Sequence, residues 1–452
     1  MKAKVIILLS LFSSALSAQT VLDDYIRIGL ENNLALKQKQ SGYEKSLEAL
    51  KEARSLFYPN ISFNARYTVS EGGRVIDFPV GDLLNPVYAT LNDLTSSNQF
   101  PMIGNQQIRF LRPFEQETKL RVTQPLFSPS IYYNSQIMRE LSMAEEADLD
   151  MYKRELIAEI RKAYYNAAMT FALVDMLKET RKLLVENVRI NKRLLENDKI
   201  TADNLYRSES EMDRFDQELQ DAEKDKKLAS AYFNFLLNRS LSDSLIIEEP
   251  EVFPSLEMVT ADATKNALDN REELKKLGNY ENITDLQLKL SQSGKLPNLF
   301  VVADLGYQGV QYKFNSESDY IQASAILSWT LFEGFRNKAK ISQATLQKEI
   351  AEKRMEEARK QIELQVTASL EEVSSSEKGI TTAESRLKNA RESFRITSKK
   401  YEEGQASLIE FIDARTNLTQ SEANLIISRY RYLSAFAEFE KVAAINSYHD
   451  EQ

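Results

Sequence analysis

Residues 61–70 read Ile-Ser-Phe-Asn-Ala-Arg-Tyr-Thr-Val-Ser, and apolar and polar side chains alternate at every position. Successive side chains of a β-strand point to opposite faces, so this stretch predicts a strand with one apolar and one polar face. Similar alternation occurs at 118–127, 298–308 and 320–332. About ten residues is the length that a tilted transmembrane strand needs. Four such stretches favour strands that cross a membrane, although one alone would suit the solvent side of a sandwich.

The N-terminus has the layout of a secretory signal peptide. Lys2 and Lys4 precede an apolar run over 5–16, which is followed by the small residues Ser17 and Ala18. The run is too short to span the hydrocarbon of a bilayer, which favours cleavage over a retained N-terminal anchor. We therefore expect residues 1–18 to be a signal peptide and the mature chain to be exported.

The composition argues against an enzyme, a metal protein and a nucleic-acid binder. The 452 residues include no Cys and a single His, His449, which excludes thiol chemistry and histidine clusters. The net charge of −9 is the opposite of the basic surface that nucleic-acid binding requires. Paired carboxylates such as Glu145 and Glu146 lie in charged helical stretches, where a solvated face explains them. We expect no catalytic residue, no metal and no cofactor.

Two long segments without proline, 130–197 and 335–403, predict helices of unusual length. Their apolar residues recur in alternating steps of three and four, which is the spacing of a coiled-coil seam. The first helix is predicted over 129–197, and at 1.5 Å per residue each helix is roughly 100 Å long. Shorter helices are predicted to return over 201–239 and 407–445, which makes two antiparallel hairpins.

The turn between the last two helices carries its own signals. Gly404 suits the left-handed position that ends a helix, and Ser407 followed by Glu410 is a capping box that opens the next helix. A sharp reversal is therefore predicted between 403 and 407.

The chain also contains an internal duplication. Leu30-Glu31-Asn32 corresponds to Leu268-Asp269-Asn270, and similar matches continue through both halves. We predict a first repeat over 19–240, a connector over 241–259 and a second repeat over 260–452. An insertion in the first repeat, over 71–116, is rich in Gly and Pro and is predicted to be irregular and extracellular.

Four strands cannot close a barrel by themselves. Unpaired backbone groups in lipid cost several kcal/mol each, so several copies must assemble. Eight strands from a dimer would be filled by side chains, whereas twelve from a trimer leave a lumen. A conduit therefore requires the trimer. The predicted fold class is mainly α with a transmembrane β part: a 12-stranded trimeric barrel and a tunnel of helical hairpins.

The order of elements, the duplication and two local sequences resemble TolC-type outer-membrane efflux proteins. The local sequences are the strand ends at 124–127 and 330–334, and the turn over 401–415, Tyr-Glu-Glu-Gly-Gln-Ala-Ser-Leu-Ile-Glu-Phe-Ile-Asp-Ala-Arg. The resemblance covers nearly the whole mature chain. It implies a homotrimer in the outer membrane of a Gram-negative bacterium, surrounded by outer-membrane lipid, with its helical part in the periplasm.

The resemblance also implies a function and partners. The chain would be the passive exit duct of a tripartite efflux pump or a type I secretion system, gated at its periplasmic tip. A periplasmic adaptor and an inner-membrane transporter would dock there. The alternatives are a periplasmic coiled-coil scaffold or adaptor without a membrane barrel, and a secreted enzyme.

Site residues follow from matching positions in the family. Glu410 and Asp413 match acidic residues that ring the periplasmic entrance, although Glu410 has a plain alternative as a helix cap. Tyr401 matches a tyrosine of the closed-state contacts, which suggests a contact with Asp203 or Asn204. A tyrosine packed in the helix seam is the alternative.

Overall fold

A computed structural model describes residues 21–248, 254 and 260–445. The predicted signal peptide and part of the predicted connector lie outside the described residues. The chain forms two compact units. The helical unit comprises residues up to Leu47, Glu140–Thr284 and the chain from Gln347 onward. The sheet unit comprises Glu48–Arg139 and Asp285–Leu346. Each unit takes elements from both predicted repeats.

The described residues form helices and strands in an order that repeats along the chain. The helices are α1 (Val21–Asn32), α2 (Leu34–Ser55), α3 (Val80–Thr95), α4 (Pro129–Glu196), α5 (Ala202–Leu236), α6 (Thr260–Asn270), α7 (Glu272–Ser293), α8 (Arg336–Glu402) and α9 (Leu408–Val442). The strands are β1 (Asn60–Val69), β2 (Val75–Phe78), β3 (Gln106–Arg109), β4 (Phe114–Phe127), β5 (Asn298–Gly309) and β6 (Asp319–Ser328). Without β2, α3 and β3, both halves read helix, helix, strand, strand, long helix, helix.

The long helices α4 and α8 contain 68 and 67 residues and lie within one residue of the predicted bounds. The returning helices α5 and α9 end three residues earlier than predicted. Asn238 and Ala444, two residues after these ends, have the left-handed φ values of 53° and 52°, which a helix cannot continue through. None of the helices in the described part of the chain combines the length and hydrophobicity of a membrane span.

The helical unit contains two apolar cores, each built mainly from one half of the chain. In the first half, Leu156 and Ile160 of α4 pack with Phe233 of α5 and with the first two helices. In the second half, Ile362 and Val366 of α8 are buried with residues of α6, α7 and α9. The two cores use the same elements in the same roles, as expected of a duplicated unit.

The sheet unit contains a four-stranded antiparallel sheet in the order β1-β4-β5-β6. Strand β4 pairs with β5, so the central ladder joins the two halves of the chain. Strand β6 ends at Ser328 rather than at the predicted residue 332. Its neighbour β5 begins at Asn298, the partner of Ser328, so the residues that follow have no strand to pair with. Trp329 instead donates its indole N–H to the Lys295 carbonyl at 2.9 Å.

The Gly and Pro content of the insertion predicts an irregular chain, but this prediction is wrong. Strands β2 and β3 pair as an antiparallel hairpin, and α3 lies between them in the chain. Pro86 lies within α3, and the helix is held by side-chain amides of Asn85 and Asn92 that bind the backbone of 100–103. The amino-acid composition does not reveal a helix that is held in place by hydrogen bonds from its own side chains to a nearby loop.

Candidate functional site

One face of the four-stranded sheet is apolar and exposed. A row of directly paired residues crosses all four strands: Phe63, Leu120, Leu305 and Ile321. Their exposed fractions are 68, 46, 57 and 82%. Soluble proteins rarely expose apolar side chains in contiguous patches of more than a few hundred Å². The surface is typical of the lipid-facing side of a membrane strand, whose residues alternate with polar ones on the other side.

The opposite face carries a network of ion pairs, which we call the polar belt. Arg121 of β4 donates two hydrogen bonds to Asp304 of β5, at 2.8 and 2.7 Å. Lys119 contacts Glu117 at 2.6 Å and Asp304 at 3.3 Å. The belt is completed from the two outer strands by Arg66, which lies 3.4 Å from Glu117, and by the Tyr320 hydroxyl, which donates to Glu117 at 3.0 Å. The belt therefore spans the full width of the sheet.

Sequence reasoning identified the polar face but not these pairings. The alternation showed only that Arg121 and Asp304 are on polar faces of their strands. Their contact joins residues 183 positions apart and depends on the register of β4 against β5. The available signal was a charged residue at every second position of β4, at Glu117, Lys119 and Arg121.

The outer sides of the sheet are open. Strand β1 pairs only with β4, and β6 only with β5, among the residues that the structure describes. An open edge presents unpaired N–H and C=O groups, which are costly in lipid and invite pairing with another strand. One chain is therefore an incomplete membrane element.

The second part of the candidate site is the turn between α8 and α9, in the helical unit. Gly404 has a φ of 71°, which places it in the left-handed region. Ser407 is the N-cap of α9 and forms a capping box with Glu410. The Ser407 backbone N–H donates to Glu410 Oε2 at 2.7 Å, and the Glu410 N–H donates to Ser407 Oγ at 3.3 Å. The two turn residues thus lie in the conformations that the sequence predicted.

The capping box has a consequence for the charge of Glu410. The backbone N–H and the hydroxyl of Ser407 lower the pKa of its carboxyl group below the ordinary value. Asp413 lies three residues further along α9, and both side chains are exposed. Residues three apart are neighbours on a helix surface, so two acidic groups share one exposed face near the turn.

Tyr401 makes a different contact from the one suggested by family position. Its hydroxyl donates to Asn191 Oδ1 of α4 at 2.8 Å, not to Asp203 or Asn204. Its ring stacks on Phe411 at 4.9 Å between centroids. Asp203 pairs instead with Arg207 at 2.9 Å, and the Asn204 N–H binds the Thr201 carbonyl.

The hydrogen bond of Tyr401 continues into a buried polar pair. Asn191 is fully buried and donates its amide to Asn187 Oδ1 at 3.2 Å. Burial raises the pKa of Tyr401, so its hydroxyl stays a donor at neutral pH. The end of α8 is thereby tied to the last turns of α4.

A second tie, between α9 and α5, was missed by the sequence analysis. Arg415 is only 3% exposed, donates from Nη2 to Glu211 and lies 5.6 Å from the centroid of the Phe215 ring. Its Nε and Nη1 have no hydrogen-bond partner within the described ranges. Burial lowers the pKa of Arg415. The signal available in the sequence was Arg415 itself, a charged residue at a position where the coiled-coil spacing predicts an apolar one.

Long duplicated helical hairpins together with a two-faced, open-edged sheet are the features that the resemblance to TolC-type chains predicts. Residues 263–444 match the model of the family "Outer membrane efflux protein". Outer membrane protein TolC of Salmonella enteritidis is 21% identical over 449 residues, covering 94% of this chain and 82% of that protein.

Solved structures agree with the fold. A membrane protein from Pseudomonas aeruginosa superposes with a TM-score of 0.77 at 14% identity, over 93% of both chains. The outer membrane protein VceC of Vibrio cholerae gives 0.75 at 15% identity, over 93% of this chain and 95% of that one. The predicted resemblance to TolC-type outer-membrane efflux proteins is confirmed, and with it the outer-membrane location and the mainly helical fold with a small antiparallel sheet. The trimer and the 12-stranded barrel stay predictions.

Proposed function

We propose that three copies of this chain form the exit duct of a tripartite efflux pump or a type I secretion system. The apolar sheet face lies in outer-membrane lipid, and the polar belt lines a water-filled lumen. The helical hairpins extend the duct into the periplasm. A periplasmic adaptor and an inner-membrane transporter dock at the helical end and supply the work, so the duct itself needs no catalytic residue.

The observation that carries this proposal is the sheet with one exposed apolar face and two open edges. Pairing the free edge of β1 with β6 of a neighbouring copy removes unpaired backbone groups from lipid. Three copies supply twelve strands, enough for a lumen. A periplasmic scaffold or adaptor without a barrel would expose this apolar face and these open edges to water, which argues against that alternative.

The direct experiment is reconstitution of the purified, detergent-solubilised protein in planar bilayers. We expect a trimer that forms discrete ion-conducting channels. In a strain that lacks its own exit duct, expression together with the cognate adaptor and transporter is expected to restore resistance or secretion. A monomer that stays in solution without detergent and forms no channels would contradict the proposal.

Glu410 and Asp413 are proposed to line the periplasmic entrance. Two carboxylates per chain give six in a trimer, which would concentrate cations and repel anions. The double variant Glu410→Gln and Asp413→Asn is expected to reduce cation over anion selectivity and divalent-cation block in bilayers. Reversal potentials under a salt gradient measure this.

Two control variants distinguish a role of Glu410 in ion selectivity from its role in capping helix α9. Ser407→Ala removes the hydroxyl of the capping box but keeps both charges, so it should leave ion selectivity unchanged. Glu357→Gln removes an exposed carboxylate from the middle of α8 and should also have no effect. Unchanged selectivity in the double variant would limit Glu410 to its capping role.

Tyr401 is proposed to hold the closed tip. Tyr401→Phe keeps the stacking on Phe411 but leaves the buried Asn191 carbonyl oxygen without its donor, which costs about 1–3 kcal/mol. We expect openings at least about fivefold more frequent in bilayers, since 1.4 kcal/mol is a factor of ten.

A matched control is available on α5. Tyr206 is 67% exposed, and Tyr206→Phe is expected to leave the opening frequency as it was. Equal opening frequencies for Tyr401→Phe and the unmodified protein would show that the Tyr401 contact does not restrain the tip.

A further inference from the structure

Helix α3 of the insertion uses one of its faces to bind its own loop. Asn85 and Ile103 exchange two hydrogen bonds of 2.9 Å, and Asn92 and Phe100 exchange two of 2.8 and 3.1 Å. Gly81 lies on the same face, where a Cβ would approach the Ile103 carbonyl oxygen to 2.5 Å. This face is therefore closed by residues 100–105.

A second face of α3 is apolar and is exposed at Leu84, Val87 and Leu94. Its residues follow in steps of four, three, four and three, which is the spacing of a helix that packs against other helices. They are Val80, Leu84, Val87, Leu91 and Leu94. Val87 is 52% and Leu94 77% exposed, and the adjoining Leu83 is 66% exposed. We call this surface the α3 stripe.

The charges of α3 argue against a membrane surface as the partner. Helices that lie on membranes carry Lys or Arg on their polar face, which binds anionic headgroups. The only charged residues of α3 are Asp82 and Asp93. An apolar stripe on a helix whose charged residues are both acidic fits another apolar stripe better than an anionic lipid surface.

The position of the insertion brings copies of the α3 stripe together in a trimer. The insertion leaves β1, an edge strand, and returns to β4. It therefore lies at the strand ends opposite those that connect to α2 and α4. In the trimer of the proposed function, on which this inference rests, β1 borders the neighbouring copy. Three insertions then surround one mouth.

We propose that the three α3 stripes pack against one another and form a helical cap over the outer mouth of the channel. The cap buries Val87 and Leu94 of each copy against the same residues of the other two. Asp93, on another side of the helix, stays in water. The outer end of the duct is thus restrained by contacts between copies, separately from the periplasmic tip.

Cysteine cross-linking tests the cap directly, because the chain contains no native Cys. Val87→Cys in the assembled trimer is expected to form disulfide-linked dimers on mild oxidation, which denaturing gels resolve. Asp93→Cys is the matched control on the same helix and should stay monomeric on those gels. As a functional readout, Val87→Asp should increase the open probability of bilayer channels that carry an intact periplasmic tip.

The outcomes separate the cap from the proposed function. Trimers that conduct but show no Val87→Cys cross-link would overturn the cap and leave the duct standing. Quenching of a bimane label at Val87→Cys by a lipid-borne quencher would assign the α3 stripe to the membrane and also overturn it. Absence of any trimer would remove both proposals.

Discussion

Replacing Leu305 by lysine is expected to remove most of the folded, membrane-inserted trimer. Leu305 lies in the central strand β5 and is 57% exposed, flanked by Leu120 and Ile321 on the apolar face. A lysine on the lipid face near the bilayer midplane costs about 2–4 kcal/mol, and a trimer contains three. The heat-resistant oligomer on semi-native gels, and urea unfolding in lipid vesicles, measure the loss.

The matched control for Leu305→Lys is Gln322→Lys. Gln322 is paired with Asp304 in the β5–β6 ladder and lies on the polar face. A lysine there meets water and a nearby carboxylate, so the trimer should form in normal yield. Equal yields for the two variants would show that the apolar face does not contact lipid.

The second large effect is expected at the buried ion pair between Arg154 of α4 and Glu272 of α7. Two hydrogen bonds of 2.9 and 2.7 Å join them, and each side chain is 9% exposed. Removing one partner of a buried pair costs about 3–5 kcal/mol, because the remaining charge stays buried and loses its opposite charge. Glu272→Ala should therefore lower the unfolding midpoint followed by circular dichroism in detergent.

The pH dependence of this loss has a definite sign. Burial raises the pKa of Glu272, but the hydrogen bond and charge of Arg154, a backbone hydrogen bond and the charge of Lys275 together lower the pKa overall. The stabilisation is therefore present at neutral pH and disappears as the pH falls through the lowered pKa. The variant and the unmodified protein should converge in acid.

An exposed pair provides the comparison for Glu272→Ala. Glu392 and Arg395 contact at 2.6 Å, but their side chains are 57 and 55% exposed. Glu392→Ala should cost far less than Glu272→Ala, as expected for a solvated pair on a helix surface. Replacing both Arg154 and Glu272 by leucine should recover much of the lost stability. A loss for Glu272→Ala as small as that for Glu392→Ala would contradict the account of the buried pair.

The contacts of Tyr401 and Arg415 are the ones that we propose hold the periplasmic tip closed. Tyr401 connects the end of α8 to Asn191 of α4, and Arg415 connects α9 to Glu211 of α5. Both contacts join the second hairpin to the first, so separating the hairpins must break them. Two nitrogen atoms of Arg415 have no hydrogen-bond partner among the described residues, and water could bind them once Glu211 moves away.

Much of the fold was predictable because its determinants are local. Alternation over 61–70 fixed the two faces of β1, since a strand has a period of two. The absence of proline, with coiled-coil spacing, set α4 and α8 to within a residue. Gly404 and Ser407 located the turn because their conformational preferences act over a few residues.

The features that sequence reasoning missed depend on contacts between distant residues. Tyr401 reaches Asn191 rather than Asp203 because the register of α8 against α4 decides which side chain lies opposite. The contact of Arg415 with Glu211 joins residues 204 positions apart, so it depends on how α9 packs against α5. The insertion folds because Asn85 and Asn92 bind a loop, and composition alone suggested irregular chain.

The central claim is that adjacent residues of one strand face lipid and water in turn, and single cysteines at Phe63 and Asn64 test it most directly. In reconstituted trimers, a membrane-impermeant thiol reagent is predicted to label Asn64→Cys rapidly through the lumen and to leave Phe63→Cys unlabelled. Equal labelling at both positions would contradict the membrane-spanning sheet.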